Sequence, residues 1–388
     1  MPTVLHLLSR FNFGGTERQL VERLRRHPRG FEPILACSAL TGAFLDPIRA
    51  LGIEPIVVPV SGLVHPSGAF AVARLAALIK SHKVDLVHAN DFAMSVLGLA
   101  AARIAGARIV TNRVDCGHLR PGFGVTHRRL EAFAARNADL VCANAEAVRT
   151  VCIDEEGCDP DRVVVVRNGL DIARFDSLSA KLEGPLPVHP GDFPVAVVGN
   201  LWPVKGHATL VEAAALLRDC APQVRFLCVG EGVMRPVLER RIRELGIEDR
   251  VLLLGHRTDV PAILARSSAF TLCSSNEGLA NAIMEAMAAR LPAVATRVGG
   301  NPELLADGRG LLVPYGDPRA LADAILRILA DPAEARAMGV RGRAFIDGQL
   351  SLDRMQSDHE ALYCRALGLS PARRSEEPVE TGRAKACG

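Results

Sequence analysis

Two glutamates, Glu277 and Glu285, stand with seven residues between them in the run Ser274-Ser275-Asn276-Glu277-Gly278-Leu279-Ala280-Asn281-Ala282-Ile283-Met284-Glu285. The run reads as the end of a strand, a polar turn containing glycine, and the start of a helix. Free backbone N–H groups at such a start attract a phosphate, by hydrogen bonding and through the helix dipole. With the intervening residues mostly helical, Glu285 lies about two turns beyond Glu277, where its carboxylate can accept hydrogen bonds from a vicinal diol such as a ribose. Taken singly, a glutamate on a helix is more often a solvated surface residue. Lys205, in Val198-Gly199-Asn200-Leu201-Trp202-Pro203-Val204-Lys205-Gly206-His207, follows another strand and precedes another helix, a place where a compact, mobile charge suits a diphosphate.

Two further glycine loops have the same strand-to-helix setting. Val229-Gly230-Glu231-Gly232-Val233-Met234-Arg235-Pro236 opens a helix with an early proline, but Arg235 occupies the third glycine's place in a dinucleotide fingerprint. In Phe13-Gly14-Gly15-Thr16-Glu17-Arg18-Gln19, Thr16 and Gln19 have capping-box spacing, and the glycines permit close approach of a ligand. His88, Asp91, Arg113, Asp115 and His118 cluster after two expected strand ends, where open parallel sheets bind ligands; any one of them alone is more often structural. Asn168-Gly169-Leu170-Asp171 is a turn signal, taken here as support for a cleft.

Short β-branched runs alternating with helical patterns position these residues, the signature of parallel sheets covered on both faces. The first series is Val4-Leu8, Ile34-Cys37, Ile56-Val60, Val84-His88, Ile109-Thr111, Leu140-Ala143 and Val163-Val166. Between them lies an amphipathic segment, Ala69 to Lys80, whose buried stripe is expected from Phe70, Val72, Ala73, Ala76, Leu78 and Ile79. The pattern fails from Asp176 to Phe193, where Pro185, Pro187, Pro190 and Gly191 mark an interdomain linker. A second series follows: Pro194-Val198, Val224-Val229, Val251-Leu254, Ala269-Cys273, Ala293-Thr296 and Leu311-Val313. The expected division is a first domain over 1–180, a second over 193–345, a helix over 351–368, and a polar tail over 370–388 that is expected to be disordered.

The bulk numbers agree with two domains, since 388 residues with 49% hydrophobic side chains exceed one ordinary core. A net charge of +3, from 46 basic and 43 acidic residues, and 4% aromatic residues argue against a nucleic-acid partner. Ten cysteines lack the paired spacing of a zinc site or a disulfide scaffold and read as reduced, buried thiols of a cytoplasmic protein. The chain opens directly on the strand-like Thr3 to Leu8, so no cleaved leader is expected. The longest apolar stretch, Leu97 to Val110, is interrupted by Arg103 and Arg108 and is short for a bilayer span.

The glutamate pair, the following Arg290-Leu291-Pro292-Ala293-Val294-Ala295-Thr296-Arg297-Val298-Gly299-Gly300-Asn301-Pro302-Glu303, and the Lys205 loop together resemble the retaining glycosyltransferases of family 4. The resemblance implies the GT-B architecture: an α/β fold of two Rossmann-like, doubly wound parallel-sheet domains facing an interdomain cleft. It implies a nucleotide diphosphate-sugar donor, a hydroxyl acceptor, retention of configuration, and no metal or other cofactor. By this resemblance Glu285 holds ribose hydroxyls, Glu277 the transferred sugar, and the amides of Gly278, Leu279 and Ala280 the phosphate and sugar. Gly14, Gly15, Gly230 and Gly232 line the donor site, and Lys205 carries the diphosphate charge. The first domain supplies the acceptor pocket, with His88, Asp91, Arg113 and Asp115 as candidates.

Two departures stand out: Asn200 occupies a position where relatives often have arginine, and the loop after Ile109-Thr111 begins Asn112-Arg113-Val114-Asp115, so that His118 is the catalytic histidine candidate beside Glu277 and Lys205. The helix Leu352 to Leu367 resembles the family's helix that crosses back to the first domain. If the acceptor is lipid-linked, Arg18, Arg23, Arg25 and Arg26 and the set His127-Arg128-Arg129 are expected to meet anionic headgroups at the inner face of a membrane. Two other classes fit the α/β pattern, a catalytically silent sugar-nucleotide binder and a nicotinamide enzyme. Turnover distinguishes the first, and the lack of an intact three-glycine fingerprint after the first strand speaks against the second.

Overall fold

A computed structural model of the chain describes residues 1–60, 62–63, 66–117 and 124–370. Strands form where β-branched and leucine-rich runs can be buried on both faces. In the first half these are β1 (Thr3–Leu8), β2 (Glu32–Cys37), β3 (Ile56–Val57), β4 (Leu86–Ala89), β5 (Arg108–Arg113), β6 (Leu140–Ala143) and β7 (Val163–Val165). They form one sheet in the order β3-β2-β1-β4-β5-β6-β7. The second half contributes β8 (Phe193–Val198), β9 (Val224–Val229), β10 (Val251–Gly255), β11 (Ala269–Leu272), β12 (Ala293–Thr296) and β13 (Gly310–Val313), in the order β10-β9-β8-β11-β12-β13. Every strand pair is parallel. Each sheet reverses its winding, at β1/β4 and at β8/β11, and there a crevice opens at the carboxyl ends of the strands.

Several local expectations are corrected. The stripe on the helix Pro66–Ser81 is Ala71, Leu75, Ala76, Leu78 and Ile79, while Phe70 is 72% exposed and Ala73 is exposed. The face is rotated because the neighbouring helix Phe92–Ala105 packs on it. The helix Gly15–Arg25 begins at Gly15 with Gly14 as its N-cap, so Thr16 lies inside the helix and forms no capping box. The stretch expected as a linker from Asp176 begins inside a helix, Ile172–Ser179, capped by Asp171. Its Phe175 is buried among residues of the second sheet's layer, and Asp176 takes two bonds of 2.8 Å from Arg343. Leu182, Leu186 and Val188 then strap across Leu227, Val229 and Ile263.

The helix Leu352–Leu367 crosses back, burying Leu362, Tyr363, Cys364 and Ala366 against Val4, Leu86, Val110 and Leu140 of the first sheet. A buried polar network completes the docking. Parallel register sets His6 of β1 beside His88 of β4. His88 Nδ1 and Nε2 meet Tyr363 Oη at 2.8 Å and Asn112 Oδ1 at 2.7 Å. His6 and His27 meet through Nε2 at 3.1 Å, and Arg23 bridges Asn90 and His359.

Burial, reinforced by the Arg23 charge, lowers these imidazoles from the usual 6.5, His27 to about 4 and His359 to about 3. In the interval between the two states' values the unfolded chain binds more protons, so stability is full above about pH 6.5 and declines as pH falls toward 4. Urea midpoints are expected to fall steadily from pH 7 to 5, each such imidazole costing on the order of 2 kcal/mol at pH 5. A flat profile over that range would contradict the buried neutral cluster.

Candidate active site

The Lys205 loop is built by backbone contacts that only a glycine permits. After β8 the chain makes a short turn, Pro203–Lys205, ending at Gly206 with φ 65°, where a Cβ would lie 2.0 Å from the Cys273 carbonyl oxygen. The Ser275 amide donates to the Val204 carbonyl at 2.8 Å, clamping the loop to the end of β11. Lys205 Nζ is thereby held 2.5 Å from Glu277 Oε1, and Ser274 Oγ donates to the same oxygen at 2.6 Å.

Beyond Glu277 the helix Asn281–Ala288 starts without a side-chain cap. Its first intrahelical bond runs from the Ile283 amide to the Ala280 carbonyl, so the amides of residues 281 and 282 lie before the ladder. Residues Ile283 to Ala288 are all buried. Glu285 is among them at 2% exposure, and its Oε1 lies 2.6 Å from Arg18 Nη2 of the first domain. Each carboxylate of the glutamate pair is therefore neutralised, one by a cation of its own domain and the other by a cation from across the cleft.

These groups face a cavity of about 780 Å³ between the two sheets, a size suited to a drug-sized or nucleotide-sized ligand. Its wall includes Gly14, Gly15, Lys205, Gly230, Glu277, Gly278, Leu279, Ala280, Glu285 and, on the first-domain side, Asp115. Polar contacts stitch the rims together. Gln19 Nε2 donates to Asn281 Oδ1 at 3.0 Å and to the Gly169 carbonyl at 3.1 Å. Asn168 Nδ2 donates to the Leu279 carbonyl and to Asn281 Oδ1, and Asn200 Nδ2 to the Phe13 carbonyl. The Phe13 ring stacks on His256 with centroids 4.7 Å apart. Gly278 fits so closely under the first domain that a Cβ there would lie 2.1 Å from the Val114 carbonyl oxygen.

Other expected site residues are placed elsewhere. His88 is wholly buried in the Tyr363 network, so it is a docking residue and not part of an acceptor pocket. Asp91 caps the helix Phe92–Ala105 through the Met94 amide at 2.9 Å and also takes the Ser9 amide and hydroxyl. Arg113 is buried between Glu131 at 3.0 Å and Glu156 at 2.5 Å, a pair that ties down the helix Val125–Asn137. Gly232 is a packing position, since a Cβ would lie 2.4 Å from the Leu201 carbonyl oxygen, and it does not line the cavity. His118 lies outside the described residues.

The first basic set is also corrected. Arg18 is in the cleft, Arg23 is buried, Arg25 faces Glu22, and Arg26 faces Asp353. Arg18, Gln19, Asn281 and His256 are among the cleft residues that sequence reasoning missed. For the first two a signal existed: they lie within about one turn of the glycine loop, on the side that must face any ligand it approaches.

Residues 193–331 match the family model described as glycosyl transferases group 1, and residues 13–174 match that of glycosyltransferase family 4. The UDP-Gal:alpha-D-GlcNAc-diphosphoundecaprenol alpha-1,3-galactosyltransferase of Escherichia coli is 32% identical over 304 residues, which are 75% of this chain and 78% of that protein. The 2-deoxystreptamine glucosyltransferase of Streptomyces kanamyceticus is 29% identical, over 80% of this chain and 85% of its own. Among solved structures, Anabaena Alr3699/HepE in complex with UDP-glucose superposes with a TM-score of 0.82 at 28% identity, covering 94% of this chain and 100% of that one. Sucrose-phosphate synthase of Thermosynechococcus elongatus shares the fold, with a TM-score of 0.79 at 21% identity over 95% of this chain and 100% of that one. Two doubly wound sheets, a cleft that gathers Lys205 and the Glu277/Glu285 pair, and these matches over both halves agree, and the chain belongs to glycosyltransferase family 4, an enzyme of the GT-B fold.

Proposed function

We propose that the enzyme transfers a hexosyl group from a UDP-sugar to a hydroxyl of a lipid-linked glycan, with retention of configuration. The observation that carries the donor half is the convergence of Lys205, the amide edge at residues 278–282 and the buried Glu285 in one cavity. In that arrangement the diphosphate lies over the amide edge, the ribose diol takes Glu285, and the sugar faces Glu277. As the glycosidic bond breaks, charge develops on the diphosphate oxygen, and Lys205 with the preorganised amides stabilises it in a cleft that excludes water. Glu277, oriented by Lys205 and Ser274, positions a sugar hydroxyl; no covalent nucleophile is assigned. No step requires a metal.

UDP as the nucleotide is supported by the UDP and UDP-glucose complexes of the Anabaena structures, and a lipid-linked acceptor by the name of the Escherichia coli relative. Peripheral membrane contact is supported by the helix Val125–Asn137, which exposes Val125 and Phe133 by more than half together with Arg128 and Arg129. No helix among the described residues is long and apolar enough to cross a membrane. Asp115 is the first-domain candidate for orienting the acceptor hydroxyl.

The test is a panel of UDP-glucose, UDP-galactose and UDP-N-acetylglucosamine. A true donor at 100 times its Kd is expected to stabilise the folded enzyme by about 2.7 kcal/mol. It is then offered with a polyprenyl diphosphate-linked sugar in vesicles with and without anionic lipid. Transfer faster on anionic vesicles, with an unchanged anomeric configuration by NMR, is the expected result. Silence of the whole panel rejects the UDP-sugar donor, and an inverted product rejects retention.

A further inference from the structure

Glu285 carries a buried carboxylate whose ion-pair partner comes from the opposite domain. Its side chain is 3% exposed, while that of Arg18 is 37% exposed and reaches it from the cavity wall. Removing the cation paired with a buried carboxylate is costly, so in the empty cleft Arg18 stabilises Glu285. A vicinal diol can replace that partner, because two hydroxyls satisfy a carboxylate by hydrogen bonding. Arg18 would then be left without its counter-charge beside the incoming ligand.

The charge balance of the cleft says where Arg18 goes. A nucleoside diphosphate-sugar brings two negative charges, whereas Lys205 is one cation and already shares its charge with Glu277. Position 200, on the same loop, holds a neutral amide bonded to the Phe13 carbonyl. The other arginines of the wall face other groups: Arg257 pairs with Asp259 at 2.7 Å, Arg167 with Glu303 at 3.3 Å, Arg25 and Arg174 with Glu22 at 3.4 and 3.8 Å, and Arg23 lies inside the histidine network. Arg18 lies one turn beyond Gly15, and a Cβ on Gly15 would lie 3.0 Å from Asn281 Nδ2. It therefore runs alongside the amide edge on which a diphosphate would rest, and its planar guanidinium is suited to paired phosphate oxygens.

Building on the proposed donor site, the geometry points to Arg18 as the second diphosphate cation. It is parked on Glu285 in the empty enzyme and released to the diphosphate when the ribose takes that carboxylate. The exchange makes donor binding a contact of both domains, so that the ligand itself favours the closed cleft. It also makes the enzyme read the diphosphate and the ribose together.

Isothermal titration of wild type, Arg18→Gln, Arg18→Lys and Glu285→Gln with UDP, UMP and uridine tests this, each variant first checked by its thermal melt. Arg18→Gln is expected to weaken UDP about tenfold or more, as loss of a charge-assisted phosphate contact does, while uridine, which no longer has to displace an ion pair, binds at least as tightly as to wild type. Arg18→Lys is expected to restore part of the UDP affinity, and it carries the test if the glutamine variant does not fold. Glu285→Gln is expected to weaken all three ligands, since all three carry the ribose. Tighter binding of UDP and uridine alike by Arg18→Gln would make Arg18 only a plug. Equal weakening of both, or no change in either, would make its role structural, and each of these results overturns the inference. Failure of wild type to bind UDP, with ADP and GDP also failing, would overturn the donor site itself, a result distinct from normal wild-type binding with an indifferent Arg18.

Discussion

Replacing Lys205 with alanine is expected to lower kcat/KM by about 10²–10³-fold, the range seen when one preorganised charge-stabilising group is removed from a transition state. The loss should appear in kcat as well as in donor affinity, because the diphosphate is most negative at the moment its bond to the sugar breaks. Lys205 sits at the end of a turn with about a quarter of its side chain exposed, and its fold-making contacts are backbone bonds that alanine keeps. The thermal midpoint should therefore change little. A second change adds to the effect, since Glu277 loses its cation and retains Ser274. That loss adds negative charge near the donor phosphate and deepens the defect. Steady-state kinetics with the donor found by the panel measure it, and an alanine variant within threefold of wild type would remove Lys205 from the mechanism.

A Gly278→Ala substitution, smaller by every chemical measure, is expected to be comparably damaging. The added Cβ would lie 2.1 Å from the Val114 carbonyl oxygen and 2.5 Å from Asn144 Oδ1, both in the first domain. The loop has little room to retreat, because the Gly300 amide donates to the Gly278 carbonyl at 2.7 Å from behind. The domains must separate instead, and a displacement on the order of 1 Å at reacting atoms can cost about 10²-fold in rate. Because the clash is at an interface and not within either sheet, overpacking should cost no more than about 1–3 kcal/mol of stability. Small-angle scattering is expected to show a larger radius of gyration for the variant with saturating donor than for wild type. Equal radii and equal kcat/KM would show that the cleft works without this close approach.

Much of the fold is legible in the sequence, and the reason is local. Buried parallel strands must be almost continuously apolar, so runs such as Phe226-Leu227-Cys228-Val229 and Ala293-Val294-Ala295-Thr296 mark themselves regardless of their neighbours. The second-domain turns that line the cavity are legible for a similar reason. A strand, a glycine turn and a helix start are contiguous in the chain, and their chemistry belongs to the backbone. The Lys205 and Glu277 turns could therefore be placed before their mutual distance was known.

The first-domain side was not legible, because there a residue's role depends on what stands opposite it. Arg113 follows a strand end as a ligand-binding residue would, yet Glu131 and Glu156, remote in the chain, enclose it. His88 and Asp91 were likewise claimed by Tyr363 and by a helix start. Arg18, placed by its neighbours in a basic surface set, became a cleft residue through one carboxylate 267 positions away.

The amino-acid order alone determined two doubly wound sheets and the cavity-facing turns of the second, since strand burial and helix-start amides are properties of short segments. Only the tertiary structure decided which charged side chains meet across the cleft. Apposing two domains sets burial and counter-charge together, and an arginine's chemistry follows from the carboxylate it finds there.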